Sequence, residues 1–65
     1  MIEFEIKDFE LGGAKTKVKA QGIAEAMLDY LPWPFLNISV VWYPSSGIYT
    51  IIDLQTDFIY EVVAF

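Results

Sequence analysis

Hydrophobic and polar positions alternate at the start of the chain, with Ile2, Phe4 and Ile6 set against Glu3, Glu5 and Lys7. A period of two marks a strand with one buried face. The phase then slips, because Phe9 and Leu11 are apolar while Asp8 and Glu10 are polar. The strand is expected to run to Leu11, with a β-bulge near Lys7-Asp8 restoring one apolar face, or with Phe9 and Leu11 turned to the opposite side.

Gly12-Gly13 follows, and both positions can take the positive φ of a tight hairpin. From Ala14 to Ala20, Lys15, Lys17 and Lys19 alternate with Thr16 and Val18, a second strand. A loop made of the two glycines sets Glu10 opposite Lys15 and Asp8 opposite Lys17, each pair contributing about 0.2–1 kcal/mol.

The period changes between Ala20 and Leu31. Ile23, Ala24, Met27, Leu28 and Leu31 form a helical stripe, with Glu25 and Asp29 on the opposite face. Neither Gln21 nor Gly22 is a strong cap, and Pro32 ends the helix. Pro32-Trp33-Pro34 is a stiff connector.

Three further strands follow, Ile38 to Tyr43, Ile48 to Asp53 and Phe58 to Val63, all β-branched and aromatic in character. Pro44-Ser45-Ser46-Gly47 forms the first turn between them. In the second, Asp53 can bond back to the turn amides and Asp57 tolerates the left-handed conformation. Every strand-to-strand link is short. The expected fold is a single α+β domain over residues 1–65, ordered ββαβββ, an antiparallel sheet with one helix packed on one face. Whether the N-terminal hairpin joins beside the last strand or at the other edge is left open.

Closing the turns over 44–47 and 54–57 sets Trp42 opposite Tyr49 and Ile51 opposite Tyr60. One face then carries Ile38, Val40, Trp42, Tyr49, Ile51, Phe58, Tyr60 and Val62, the expected core beneath the helix. The other carries Val41, Tyr43, Ile48, Ile52, Ile59, Glu61 and Val63, together with Ser39 and Thr50. One helix covers one face, so this second set is the candidate partner-binding surface. The composition agrees: 55% apolar and 17% aromatic residues exceed what a one-sided core of 65 residues needs.

Charge narrows the partner. Four Lys, no Arg and nine acidic residues give a net charge of −5. Direct nucleic-acid binding, which relies on cations displacing counterions, is not expected. Neither is attraction to an anionic membrane surface. A protein partner that is itself basic or nucleic-acid-binding fits better. Glu3, Glu5, Asp8, Glu10, Glu25 and Asp29 are the candidate acidic contact surface, and they would mimic a phosphate array if strand and helix presented them on one side.

The chain has neither Cys nor His, so no disulfide, thiolate zinc site or His-assisted nucleophile is expected, and no cofactor or metal. The carboxylates look solvated, so the protein is expected not to be an enzyme. Trp33 is a candidate aromatic anchor, with a role closing the end of the core as its alternative. The stretch from Tyr30 to Ile52 is uncharged but interrupted by Pro32, Pro34, Pro44 and Gly47, which excludes a spanning helix. The N-terminus lacks a signal-peptide pattern, and a cytoplasmic location is expected. The function expected is a non-catalytic interaction module, of the kind phages and mobile elements use to inhibit host machinery. Its alternative is a self-associating accessory protein, a homodimer through the sheet face.

Overall fold

A computed structural model describes residues 1–65. The elements are β1 (Ile2–Asp8), a 3-10 turn (Phe9–Leu11), β2 (Ala14–Ala20), α1 (Ile23–Tyr30), β3 (Ile38–Tyr43), β4 (Ile48–Asp53) and β5 (Ile59–Ala64). All five strands join one antiparallel sheet in the order β2-β1-β5-β4-β3, with the helix on one face. The N-terminal hairpin therefore joins beside the last strand. Both edges belong to hairpins, β2 at one side and β3 at the other.

The C-terminal registers follow the turns as expected, with Trp42 opposite Tyr49, Tyr43 opposite Ile48 and Ile51 opposite Tyr60. Both turns end on a left-handed residue, Gly47 at φ 69° and Asp57 at φ 63°. The Asp53 carboxylate does bond back, accepting the Gln55 amide at 2.9 Å.

The first hairpin corrects the sequence expectation. There is no bulge, since β1 pairs with β2 without interruption from Ile2 opposite Ala20 to Asp8 opposite Ala14. Asp8 points inward and its carboxylate accepts the Glu10 amide at 3.0 Å, which folds Phe9–Leu11 into the 3-10 turn. Gly12 and Gly13, at φ 68° and 84°, complete a longer loop than two glycines alone would make. Glu10 is therefore not opposite Lys15, nor Asp8 opposite Lys17. The ion pairs are instead diagonal, Lys15 to Glu5 at 3.8 Å and Lys17 to Glu3 at 3.6 Å. In both the lysine is exposed and the glutamate only partly buried, so they contribute little to stability. Phe9 and Leu11 take neither expected position. They leave the sheet with the turn and are exposed, the Phe9 ring lying 5.1 Å beneath the Lys7 ammonium.

The helix is eight residues long. Gly22 precedes it in extended conformation without a side-chain cap, and Leu31 closes it at ψ 145°, as a residue before proline should. Its buried stripe is rotated from the expected one. Ala26, Met27 and Leu31 are buried, Ile23 and Tyr30 pack against them, and Leu28 and Ala24 are exposed. The rotation brings the Tyr30 hydroxyl to Asp8 Oδ2, to which it donates at 2.5 Å.

The core joins these helix residues to Phe4 and Ile6 of β1, Val18 and Ala20 of β2, Ile51 of β4, and Tyr60 and Val62 of β5. No β3 residue is buried. A helix about 10 Å across covers two or three strands spaced ~4.8 Å apart, not five. Val40 and Trp42, expected in the core, are consequently 42% and 48% exposed. Tyr49, beside Trp42 with ring centroids 4.5 Å apart, and Ile38 are only partly buried. No helix is long and apolar enough to cross a membrane.

Candidate interaction surface

The two buried carboxylates are tied up structurally. Asp8 is 6% exposed and Asp53 1%, each ending a strand and each accepting the amide two residues on. Each also takes a proton donor from the helix or the connector after it. Tyr30 donates to Asp8, and the Trp33 indole Nε1 donates to Asp53 Oδ2 at 2.7 Å. Every buried polar side-chain atom has a partner. No group of three or more carboxylates converges as a metal site. A shallow depression beside the helix, lined by Lys19, Glu25, Leu28 and Asp29, holds no nucleophile and no buried acid.

Tyr30 and Tyr60 meet edge to face, 5.9 Å between centroids. Burial, then the hydrogen bond and charge of Asp8, push the Tyr30 hydroxyl up from 10.0 to about 12. Burial, then the charges of Asp8, Asp53 and Glu10, push Tyr60 up as well. The folded state thus favours the neutral phenols. Their contribution is whole below the unfolded value near 10 and is lost as pH rises towards 12. The tyrosine contribution to the unfolding free energy should be level between neutral pH and about pH 10 and then fall. In Tyr30→Phe the fall should be shallower. Urea titrations across that range measure both slopes, and equal slopes would remove Tyr30 from the account.

The remaining candidates lie on the sheet. On the face opposite the helix, β2 presents Lys15, Lys17 and Lys19, and β1 presents Glu3, Glu5 and Lys7. The next three strands present Ile59, Glu61 and Val63, then Ile48, Thr50 and Ile52, then Ser39, Val41 and Tyr43. One half of this face is charged and the other mostly apolar. The register brings the expected partner-binding residues together: Ile52 lies between Ser39 and Ile59, and Val41 is opposite Thr50, which is opposite Glu61. Val41 is diagonal to both Ile48 and Ile52 and links the two apolar ends. Val41, Tyr43 and Ile59 are each nearly half exposed, while Ile48, Ile52, Glu61 and Val63 are partly buried by their neighbours.

A polar row, Thr50 and Glu61, crosses the apolar area. Glu61 faces Lys7 across the strands, but the Lys7 ammonium lies over the Phe9 ring and no ion pair forms at Glu61.

The six acidic candidates do not form one array. Glu3 and Glu5 lie on the open face and are paired with lysines, Glu10 is in the exposed turn, and Glu25 and Asp29 lie on the solvent side of the helix, across the sheet. Asp8 is buried and is not part of any contact surface. Trp33 is likewise no projecting anchor. It packs against the core with its indole N–H spent on Asp53, so the connector closes the end of the core.

Among the exposed aromatics, Trp42 is the one that sequence reasoning placed in the core, together with Val40 beside it on the helix side. Strand alternation assigned both to the core. The signal available was the unbroken lack of charge from Tyr30 to Ile52, which includes all of β3. No protein-family model, curated protein or solved structure gives a significant match to this chain.

Proposed function

We propose that this protein is a non-catalytic binding module that docks a protein partner on the open face of β3, β4 and β5. The observation that carries the reading is the patch of Val41, Tyr43, Ile48, Ile52, Ile59 and Val63, on a sheet face that no other part of the chain covers. Apolar patches of this kind on small domains mark interaction sites. The unpaired Glu61 within it favours a partner that brings a basic group to that point. A second copy stacked on the same face would bury two unpaired carboxylates, which costs several kcal/mol per ion. The net charge of −5 steers a basic protein towards the surface. Small size, acidity and the absence of an acid–base site suit an inhibitor that occupies a surface on host machinery, as phage and mobile-element proteins do, acting in the cytoplasm.

The test is the double variant I52K/I59K. These residues are direct cross-strand neighbours, Ile59 nearly half exposed and Ile52 partly buried, so the substitutions should cost the fold about 1 kcal/mol each, with about 0.2–1 kcal/mol more for the two opposed lysines. Partners captured on the immobilised protein and identified by mass spectrometry should bind the variant at least ~100-fold more weakly, the loss expected for two central contacts. Undiminished binding by a variant with native circular dichroism would refute the sheet-face site.

A further inference from the structure

The two edges of the sheet are treated differently by the sequence. Edge strand β2 carries Lys15, Lys17 and Lys19, the charged guard that keeps an edge from pairing with another chain. Edge strand β3, Ile38-Ser39-Val40-Val41-Trp42-Tyr43, has no charge, proline or bulge, and its last four residues are exposed. It pairs only with β4, so alternate N–H and C=O groups along its outer side have no strand partner.

We propose that β3 pairs antiparallel with β3 of a second copy, joining two sheets edge to edge about a two-fold axis at Val41. The contact uses the edge of the sheet rather than its open face, shares Val41 and Tyr43 with the patch described above, and does not depend on that reading.

Three observations select a second copy as the occupant. The first is electrostatic. A chain of net charge −5 repels its copy, and β3 lies in its longest uncharged stretch, Tyr30 to Ile52. Contact there brings no carboxylate to the centre. The second is steric complementarity. An axis normal to the sheet pairs residues of like face, setting Val41 against Val41, Ser39 against Tyr43 and Val40 against Trp42. On both faces a small side chain meets a large one. Val40 and Trp42, left uncovered by the helix, would cover one another across the junction. The third is closure. Each chain has one unguarded edge, so pairing stops at two, with the lysine edges outermost.

A standard interface takes roughly 800 Å² from each partner, a fifth of the 4091 Å² surface of this chain. A six-residue edge supplies less, so a micromolar dimer is expected rather than a permanent one.

Sedimentation velocity on the full chain, from about 1 to 300 µM to span micromolar affinity, should show a reversible change from the 7.4 kDa chain to twice that mass. V41K and V41E should each shift the equilibrium at least tenfold towards monomer, by placing like charges together at the axis. An equimolar mixture of the two should recover the dimer. Ile59→Lys, on the open face away from the edge, should dimerise as the unmodified chain does. Amide exchange should slow with concentration in β3 and not in β2. A monomer throughout the range overturns the proposal. So do single variants that remain dimeric, a mixture that stays monomeric, loss of the dimer in Ile59→Lys, or concentration-dependent protection in β2.

Discussion

Asp53→Ala should cost about 2–4 kcal/mol of unfolding free energy, enough to leave a 65-residue chain close to its limit of stability. The carboxylate is 1% exposed and divides its two oxygens between distant parts of the chain. Oδ2 holds the Trp33 indole at 2.7 Å and Oδ1 holds the Gln55 amide at 2.9 Å. One substitution therefore frees the connector that closes the core and the turn that registers β4 with β5. Alanine leaves the indole N–H and the amide without acceptors, and an unmet buried donor costs about 1–3 kcal/mol. Both donors are only part-buried, so the lower half of that range applies to each. Trp33→Phe should cost less, because it keeps the ring in the core and removes a single donor. Denaturant unfolding of the two variants gives the comparison. A loss below about 1 kcal/mol in Asp53→Ala would show that water replaces the carboxylate freely.

The Asp53 turn was legible in the sequence, and the Asp8 turn was not, although the two are built alike. At residues 53–58 the strands on either side are β-branched and aromatic up to the turn, so Asp53 and Asp57 bracketing Leu54-Gln55-Thr56 have one reading. At residues 8–13 the turn itself contains Phe9 and Leu11, which imitate a continuing strand, and the glycines draw attention to its end. A polar residue at an inward position was the clue. Asp8 keeps the phase of Ile2, Phe4 and Ile6, and becomes intelligible only once Tyr30 arrives from the helix to share its carboxylate. That contact spans 22 residues and leaves no trace in local periodicity.

The candidate surface divides in the same way. The open face followed from two turns and strict alternation, both local. The exposure of Val40 and Trp42 depended on the strand order and on the width of one short helix. Alternation places a residue on a face without saying whether anything lies above it. The paired acids Glu3 and Glu5 show a further limit, since a list of like charges does not reveal that the sheet separates them from Glu25 and Asp29.

The helix shows what that difference means in energy. Six of its eight residues are apolar or aromatic, and only Glu25 and Asp29 mark a polar side, so several overlapping stripes satisfy the pattern. The structure buries Met27 completely and leaves Leu28 45% exposed. Met27→Ala should cost about 2–5 kcal/mol and Leu28→Ala less than about 1 kcal/mol, although the two are adjacent and similar in size. Met27 is the one large side chain of α1 with no exposed surface, and it meets the core formed by Ile6, Ile51 and Val62. An uncapped helix of two turns has no stability of its own in water, so packing through Met27 and its neighbours holds it in place. The cavity left by alanine therefore loosens the helix that, with the connector after it, covers the inner face. Urea unfolding should show the large and small losses, and Met27→Ala should bind a hydrophobic dye at denaturant concentrations where Leu28→Ala does not. Similar costs for both variants would mean that the helix turns about its axis to bury whichever side chain remains.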